Sequence, residues 1–480
     1  MQRFEARLRN VQRVVGKAER MEPAVDQGTV SPYTDNIVRW TKSLPERSLP
    51  SGGHAETTGH SSRPLPELDA RRAVSRCHAL LSERGEVAGP RLASAVLATI
   101  QSLDARALDL FFDLLVDELS PNPARIERAT IAYRAQPSPT SLIRLQEAVE
   151  SPRKELFQRL NLAPAGLGQL IAMRRRLLST LADHPQRIAI DADLVQLFRS
   201  WFNGGFLVLR QIDWRTSPLV LERLIQYEAV HQMQGWRDLR RRLEADRRCY
   251  ALFHPSLPDE PLIFIEVALT RGMSAKVQSL LDPDSVVVDP RLADCATFYS
   301  ISNCQDGLRG VPFGNSLINQ AVDELRRAFP RLRTFATLSP VPGFTQWLAT
   351  TTASDGGDAI SAELAALLAR LTAGDVPDHT IMSARLQPEL SRLCAYYLLH
   401  AKRGQAPLDP VARFHLANGA RLERLNWLGD TSEEGIRRSF GLSVNYVYRR
   451  GELERNHQAY ARSNKISASS EIEALAATRQ

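Results

Sequence analysis

The chain of 480 residues has few cysteines and no long hydrophobic run. Its five cysteines are scattered, odd in number and without a CxxC pair, which argues against both a disulfide framework and a zinc site. No apolar run reaches the roughly 18 to 20 residues that a membrane-spanning helix needs. We therefore expect a protein of a reducing compartment, with no metal and no integral membrane segment.

The common nucleotide-binding loops are also missing, since neither GxxxxGK[ST] nor GxGxxG occurs. The formal charge of +7 nevertheless allows an anionic partner. The basic clusters 174–176 and 240–242 lie in amphipathic helical patterns without interleaved aromatic residues. We expect them to be solvated helix faces rather than a nucleic-acid surface, while a small polyphosphate ligand could use part of the charge.

The N-terminal third divides into two regions by composition. Residues 1–66 form an arm and a flexible linker, because the stretch from Leu44 to Pro66 is rich in Pro, Gly, Ser and Thr. The first 21 residues are basic as in an organelle transit peptide, yet they contain acidic residues that are unusual there. We expect a cytoplasmic protein, with an organelle matrix not excluded.

Helical periodicity dominates residues 67–186. In DARALDLFFDLLVDEL, Asp104 can cap a helix, and Phe111, Phe112 and Leu115 fall on one face. Similar patterns separated by prolines complete an all-α domain, and oligomerisation is its expected role. No pair of catalytic groups stands out in this region.

Residues 187–463 alternate helical patterns with β-branched runs, which indicates a mixed α/β domain. The fold class is therefore α+β and multidomain, with an all-α domain first. The tail, residues 464–480, has little to bury, so we expect a frayed end or a loose helix. The predicted strands lie in FLVLRQI, CYALFHP, PLIFIEVAL, ATFYSIS, LRTFATLS and LSVNYVYR.

A glycine-rich turn follows the run ATFYSIS. A strand ending near Ser302 leads into a turn with three glycines, after which Asn315 can cap a helix. Backbone amides in such a turn, with the positive end of the helix, can hold phosphate oxygens. The segment from Arg309 to Gly314 is similar to the Arg/Gln-x-x-Gly-x-Gly loop with which GNAT acyltransferases hold coenzyme A, although Pro312 stands where a glycine is usual.

Five ordered segments of the mixed domain resemble the malonyl-CoA decarboxylase family. Together they cover most of that domain, and the helical region before it agrees in type. The resemblance does not place residues 1–66. The matching segments are FHPSLPDEPLIFIEVALT, FYSISNCQDGLRGVPFGNSLI, FATLSPVPGFTQWL, ARFHLANGARLERLNWLGDTS and FGLSVNYVYR.

The resemblance implies a helical domain and a GNAT-like catalytic domain that converts malonyl-CoA to acetyl-CoA and carbon dioxide. It implies a homo-oligomer, dimer or tetramer, that needs no metal or organic cofactor, because the thioester itself is the electron sink. It places a substrate-orienting residue and proton acceptor at Ser339 and a proton donor at His415. The implied coenzyme A phosphate loop is Arg309, Gly310, Val311, Pro312, Phe313, Gly314 and Asn315.

Two other functions stay open. The protein could be a GNAT acyltransferase that uses an amine acceptor, or a regulator that binds coenzyme A without turnover. Spacing alone would make Ser339 a turn serine and His415 a core histidine. His254 and Glu260 could form an acid–base pair, but the prolines around them favour a rigid turn. We expect Glu266 to face solvent or a partner, and Asn303, Tyr446 and Asn426 are further candidates for the pocket.

Overall fold

The computed structural model describes residues 66–85, 88–354, 360–378, 380 and 385–477, without the side chains of residues 314–316, 353 and 354. The arm and all but the last residue of the linker predicted for residues 1–66 lie outside these ranges. In the described part, no helix has the length and apolar character that crossing a membrane requires.

The described chain begins with a layer of eight α-helices. As predicted, Asp104 caps one of them by accepting a hydrogen bond from the Ala107 amide at 2.8 Å, and Phe111, Phe112 and Leu115 are buried. The helical layer continues past residue 186 to Trp201. Its members are α1 (Pro66–Ser82), α2 (Gly89–Gln101), α3 (Ala105–Glu118), α4 (Pro123–Ala135), α5 (Pro139–Val149), α6 (Pro152–Leu160), α7 (Gly166–Thr180) and α8 (Ile188–Trp201).

An eight-stranded mixed sheet follows, in the order β1-β2-β3-β4-β5-β10-β6 with β9 paired to β10. All pairings are antiparallel except that of β4 with β5. A helical region followed by a mixed sheet confirms the predicted fold class. The strands are β1 (Val208–Ile212), β2 (Arg247–Phe253), β3 (Ile263–Thr270), β4 (Cys295–Asn303), β5 (Thr334–Thr337), β6 (Ser339–Pro340), β9 (Arg421–Asn426) and β10 (Ser443–Val447), with β7 (Lys402–Arg403) and β8 (Ala406–Pro407) in a separate hairpin.

The remaining helices pack around the sheet or link its strands. The C-terminal one differs from expectation, because Ile472 is fully buried and Ala476 nearly so, where we expected a tail with little to bury. These helices are α9 (Pro218–Tyr227), α10 (Trp236–Arg242), α11 (Gln278–Leu281), α12 (Gly314–Ala328), α13 (Phe344–Ser354), α14 (Ala362–Thr372), α15 (Leu386–His400), α16 (Pro410–Ala417), α17 (Glu433–Ser439), α18 (Arg450–Ser463) and α19 (Ser470–Ala477).

The crossover from β4 through α12 to β5 positions the functional part of the molecule. Five apolar side chains of α12 are buried against the core. Because β4 and β5 are parallel neighbours, the turn that joins β4 to α12 lies at the carboxyl edge of the sheet, where α/β folds place ligands. The buried positions of α12 are Leu317, Ile318, Ala321, Val322 and Leu325.

Several charged side chains are buried where the sequence predicted exposure. Arg241 and Arg242 are each 3% exposed, since they pair with Asp246 and Glu266 inside the protein. Arg174 is 2% exposed and pairs with Asp191. The predictions of solvated arginine clusters and of an outward-facing Glu266 were therefore wrong at these positions. Each guanidinium has a carboxylate partner, and burial of a charge requires such a partner.

Candidate active site

Ser339 and His415 lie side by side, although 76 positions separate them in sequence. The Ser339 Oγ is 3.0 Å from the His415 Nε2, and both side chains are buried. Ser339 is in β6, where it pairs with Val444 of β10. His415 is in the last turn of α16. The sheet and the helix thus bring together the two residues that the family resemblance selected.

Tyr446 in β10 and Tyr448 just after that strand contact the imidazole on its other sides. The Tyr446 ring stacks on it, with the ring centroids 4.6 Å apart and the planes 26° apart. The Tyr448 hydroxyl oxygen is 2.8 Å from the His415 Nδ1. Tyr448 directly follows β10, and its amide donates to the Phe335 carbonyl of β5 at 2.8 Å, so the pairing with β5 continues just past the end of the strand. Tyr446 was a candidate from the sequence, whereas Tyr448 was missed although it lies in the matched segment FGLSVNYVYR.

The hydrogen bonds around Ser339 define one tautomer of His415. The Ser339 hydroxyl donates to the Thr337 Oγ1 at 2.8 Å, which uses its single hydrogen. The His415 Nε2 must therefore carry a hydrogen and donate it to Ser339. Its Nδ1 then accepts from the Tyr448 hydroxyl. The chain of donors from Tyr448 through His415 and Ser339 ends at the Thr337 Oγ1, which also accepts a hydrogen bond from the Tyr446 amide at 3.1 Å.

Burial keeps this imidazole uncharged. It lowers the pKa of His415 from 6.5 to about 3, because the charged form loses its hydration. His415 is thus neutral near pH 7 in the free protein and offers its Nε2–H as a hydrogen-bond donor.

Asp409 fixes the start of the helix that carries His415. Its Oδ1 accepts hydrogen bonds from the amides of Val411 at 3.0 Å and Ala412 at 2.8 Å, which makes it the N-cap of α16. Burial raises the pKa of Asp409 from 3.8 to about 6, although these two bonds oppose the increase. The sequence gives a signal for this cap, since Asp409 directly precedes a proline at the first helical position.

A deep pocket joins the Ser339–His415 pair to the glycine-rich turn. It contains about 1110 Å³ of empty space when its open mouth is counted. Ser339, His415, Val411 and Phe414 line one part, and the turn lines another. Because the turn and the pair line one pocket, an extended ligand can contact both at once, with its reacting end at the serine and histidine.

The predicted phosphate loop lies between β4 and α12, as expected. Arg309, Gly310, Val311 and Phe313 line the pocket, whereas the side chain of Pro312 is exposed. Gly310 has a φ of 80°, a left-handed conformation that favours glycine. The helix begins at Gly314, so Asn315 lies in its first turn and is not the predicted cap. The Asn315 side chain lies outside the described part.

Strand β4 forms a long wall of the pocket beyond its pairing with β5. That pairing ends at Phe298 and Thr337, after which the Leu338 amide makes one more bond to the Phe298 carbonyl at 2.8 Å. The strand continues, and its next five residues all line the pocket. Asn303, a candidate from the sequence, is among them. The five are Tyr299, Ser300, Ile301, Ser302 and Asn303.

Glu228 supports this wall from behind. The Ser300 hydroxyl lies 2.8 Å from each Glu228 carboxylate oxygen, and the amides of Val230 and His231 donate to the Glu228 Oε1 at 2.9 and 2.8 Å. These bonds tie the segment after α9 to β4, and Val230 lines the pocket. The sequence offered no signal for Glu228, because nothing marks a lone glutamate after a helix as a partner of a strand 72 residues away.

The other sequence candidates have structural roles. His254 accepts a hydrogen bond from the Ser256 amide at 3.1 Å and forms a β-bridge with Leu257, which confirms the turn. Glu260 pairs with Arg223 at 2.7 Å rather than with His254. Asn426 donates to the Asn445 Oδ1 at 2.9 Å and is not among the residues that line the pocket.

A mixed sheet with a histidine–serine pair at the wall of a deep pocket is the arrangement of an enzyme site. Two family models match the chain: the malonyl-CoA decarboxylase N-terminal domain over residues 119–202, and the C-terminal domain over residues 205–480. The chain therefore belongs to the malonyl-CoA decarboxylase family.

Curated relatives and solved structures agree with this assignment. The mitochondrial malonyl-CoA decarboxylase of Anser anser anser is 37% identical, and the match covers 67% of this chain and 69% of that protein. The mitochondrial malonyl-CoA decarboxylase of Rattus norvegicus is 35% identical, and the match covers 70% of this chain and 73% of that protein. The crystal structure of malonyl-CoA decarboxylase from Rhodopseudomonas palustris is 45% identical and covers 84% of this chain and 99% of its own, with a TM-score of 0.79. The crystal structure of malonyl-CoA decarboxylase from Agrobacterium vitis is 44% identical and covers 85% of this chain and 100% of its own, with a TM-score of 0.80.

Proposed function

We propose that the protein decarboxylates malonyl-CoA to acetyl-CoA and carbon dioxide at the Ser339–His415 pair. The observation that carries this proposal is the 3.0 Å contact between the Ser339 Oγ and the His415 Nε2, in a pocket that also contains the glycine-rich turn. The turn holds the coenzyme A phosphates through Arg309 and its backbone amides, with the N-terminus of α12 behind them. The malonyl group reaches the serine and histidine.

Loss of carbon dioxide leaves an enolate, whose negative charge lies mainly on the thioester oxygen. The Nε2–H of His415 and the hydroxyl of Ser339 are donors held in place before the reaction, so they stabilise this charge without large rearrangement. Ser339 donates to the Thr337 Oγ1 in the empty site and can turn its hydrogen toward the substrate, because a hydroxyl hydrogen rotates about the C–O bond.

The enolate carbon must then receive one proton. His415 is neutral in the empty site, but a bound malonyl carboxylate or an enolate favours the charged imidazolium and raises its pKa. His415 thus takes a proton from solvent when substrate is bound, and it delivers that proton to carbon directly or through Ser339. The atoms balance, because one malonyl-CoA and one proton give one acetyl-CoA and one carbon dioxide.

The pantetheine arm lies along β4 in this proposal. The arm contains two amide groups, and the wall from Tyr299 to Asn303 is a strand that β5 has ceased to cover. Amides placed beside a strand can exchange backbone hydrogen bonds with it as another strand would. Such bonds fix the distance between the phosphate turn and the reacting groups, and so convert binding into orientation.

The direct test is to incubate the purified protein with malonyl-CoA alone. Stoichiometric acetyl-CoA and carbon dioxide support decarboxylation, and Ser339→Ala and His415→Ala should each abolish most turnover while retaining affinity for free coenzyme A. An absolute requirement for an amine would instead identify a GNAT acyltransferase. Binding of malonyl-CoA without products would identify a non-catalytic regulator.

The proposal extends to properties beyond the family assignment. The catalytic domain is GNAT-like, the protein acts as a homo-oligomer in the cytoplasm, and the reaction needs no metal or organic cofactor. Retention of turnover after dialysis against a chelator tests the last point. Light scattering of the full chain tests the oligomer, and a monomer that turns over at the full rate would refute it.

A further inference from the structure

Arg174 connects the N-terminal helical layer to the glycine-rich turn. It lies in α7, where the next residue, Arg175, is exposed to solvent. Arg174 itself is only 2% exposed. Its Nε donates to the Asp191 Oδ1 at 2.7 Å, and its Nη1 donates to the Gly307 carbonyl oxygen at 2.6 Å. One side chain thus links α7, α8 and the turn between β4 and α12.

The backbone of the turn is also packed tightly against α7. A Cβ atom placed on Gly307 would lie 2.1 Å from the carbonyl oxygen of Ile171, so glycine is required there for contact. Leu308 is buried directly after it, and the next three residues line the pocket. The helical layer therefore holds the turn immediately before the point where it reaches the ligand.

The geometry points to Arg174 as a positioning residue for coenzyme A. From the helical layer it holds the Gly307 carbonyl, and it thereby positions the loop that begins at Arg309. This inference rests on the proposed role of that loop in binding phosphates. A loop with a glycine at positive φ has many accessible conformations when unbound, and a charged donor on a carbonyl just before it removes most of them. Affinity then rises because less ordering is needed on binding.

Electrostatics support the same arrangement. The pKa of Arg174 is lowered mainly by burial, is raised by Asp191, and is lowered further by the positive charge of Arg309. The two guanidinium groups are therefore within electrostatic reach of each other. Asp191 offsets the charge of Arg174 inside the protein, and Arg309 is the member of the pair that lines the pocket.

Arg153 provides a matched control in the same helical layer. It is also 2% exposed, and its Nε donates to the Asp193 Oδ2 at 3.0 Å. Its Nη1 donates to Leu115 and Leu119 carbonyls and to Ser120, all within the layer. Replacement of Arg153 thus removes a buried ion pair of the same kind without removing a contact to the loop.

The test compares Arg174→Met with Arg153→Met in the full chain, measuring the melting temperature, the Kd of free coenzyme A, and kcat and KM for malonyl-CoA. Both variants should lower the melting temperature. Only Arg174→Met should raise the Kd and KM, by about tenfold, because a hydrogen bond to a charged group is lost. Arg174→Lys should recover part of the affinity. Gly307→Ala, which pushes the turn away from α7 and keeps the guanidinium, should weaken binding in the same way.

The outcomes separate this inference from the proposed function. Wild-type turnover with equal KM values for the two methionine variants overturns the positioning role and leaves the function intact. Wild-type binding of coenzyme A without decarboxylation overturns the function, and the Kd values still decide the role of Arg174. If Arg174→Met does not fold, Gly307→Ala and Arg174→Lys decide it, and unchanged affinity in both refutes it.

Discussion

The Nδ1 of His415 accepts a hydrogen bond from the Tyr448 hydroxyl at 2.8 Å, on the opposite side of the ring from Ser339. A donor at this position keeps the hydrogen on Nε2, where it faces the serine. Ser339 and His415 are therefore the centre of a longer series of hydrogen bonds, in which Tyr448 determines which nitrogen of His415 can donate.

Tyr448→Phe should lower kcat by roughly tenfold or more with little change in KM, because the imidazole loses the partner that fixes its tautomer. Steady-state kinetics with malonyl-CoA measures both constants. Tyr396→Phe is the control, since Tyr396 is 39% exposed and stacks on Trp347 rather than on His415. A kcat equal to that of wild type in the folded Tyr448→Phe protein would remove Tyr448 from the mechanism.

The burial of neutral His415 should make the free protein less stable in acid. Its folded pKa of about 3 lies below the unfolded value of 6.5, so the unfolded chain binds the proton first as the pH falls. The contribution of neutral His415 to the free energy of unfolding is complete above pH 6.5. It decreases by about 1.4 kcal/mol per pH unit as the pH falls from 6.5 to 3.

Urea denaturation of wild type and His415→Gln at pH 7 and pH 5 tests this expectation. The free energy of unfolding of wild type should fall between these two pH values by about 2 kcal/mol more than that of His415→Gln. His400→Gln, at an exposed position, should follow wild type. Parallel pH dependence of wild type and His415→Gln would contradict a neutral buried imidazole.

Asp409→Ala should destabilise the protein by about 1 kcal/mol and reduce kcat, because the first amides of α16 lose their acceptor and the helix carries His415 at its other end. Asp409→Asn retains a carbonyl acceptor and should lose less stability and less activity. Thermal unfolding and kinetics on the two variants provide the comparison. Equal losses would show that the carboxylate matters for a reason other than capping.

Arg309→Ala should raise the KM for malonyl-CoA about tenfold or more and leave kcat nearly unchanged, because a charged donor to phosphate is removed. Malonyl-pantetheine, which has no nucleotide phosphates, should be used equally well by wild type and by this variant. Arg327→Ala, an exposed position on α12, serves as the control. A loss of activity toward malonyl-pantetheine would place Arg309 at the reacting end instead.

Periodicity was sufficient for most of the fold. All six runs rich in β-branched and aromatic residues are strands, since each one is buried on at least part of its length. Strand β9, with the sequence RLERLN, was missed because half of its residues are charged. It is a strand because β10 pairs with it from Ser443 opposite Asn426 to Val447 opposite Arg421, with one irregularity between Asn445 and Tyr446. Tertiary pairing here overrides local preference.

The site was less predictable than the fold. Ser339 and His415 came from the family resemblance, since neither spacing nor composition would have paired them. The partners of these residues depend on three-dimensional proximity: Glu228 meets Ser300, and Arg174 meets Gly307 across 133 positions. The charge of Arg174 suggested a solvated position, because a sequence does not reveal which member of an arginine cluster has a carboxylate within reach.

The central place of β10 has a consequence for the order in which the molecule assembles. The strand is made late, yet it lies between β5 and β9, and its Asn445 donates to the Thr337 carbonyl across 108 positions. A growing chain that has completed Ser339 therefore cannot close this part of the sheet until more than a hundred further residues have emerged. Such distant pairings form slowly. A chain interrupted before Tyr446 would have β5 exposed on one edge and a histidine without either tyrosine.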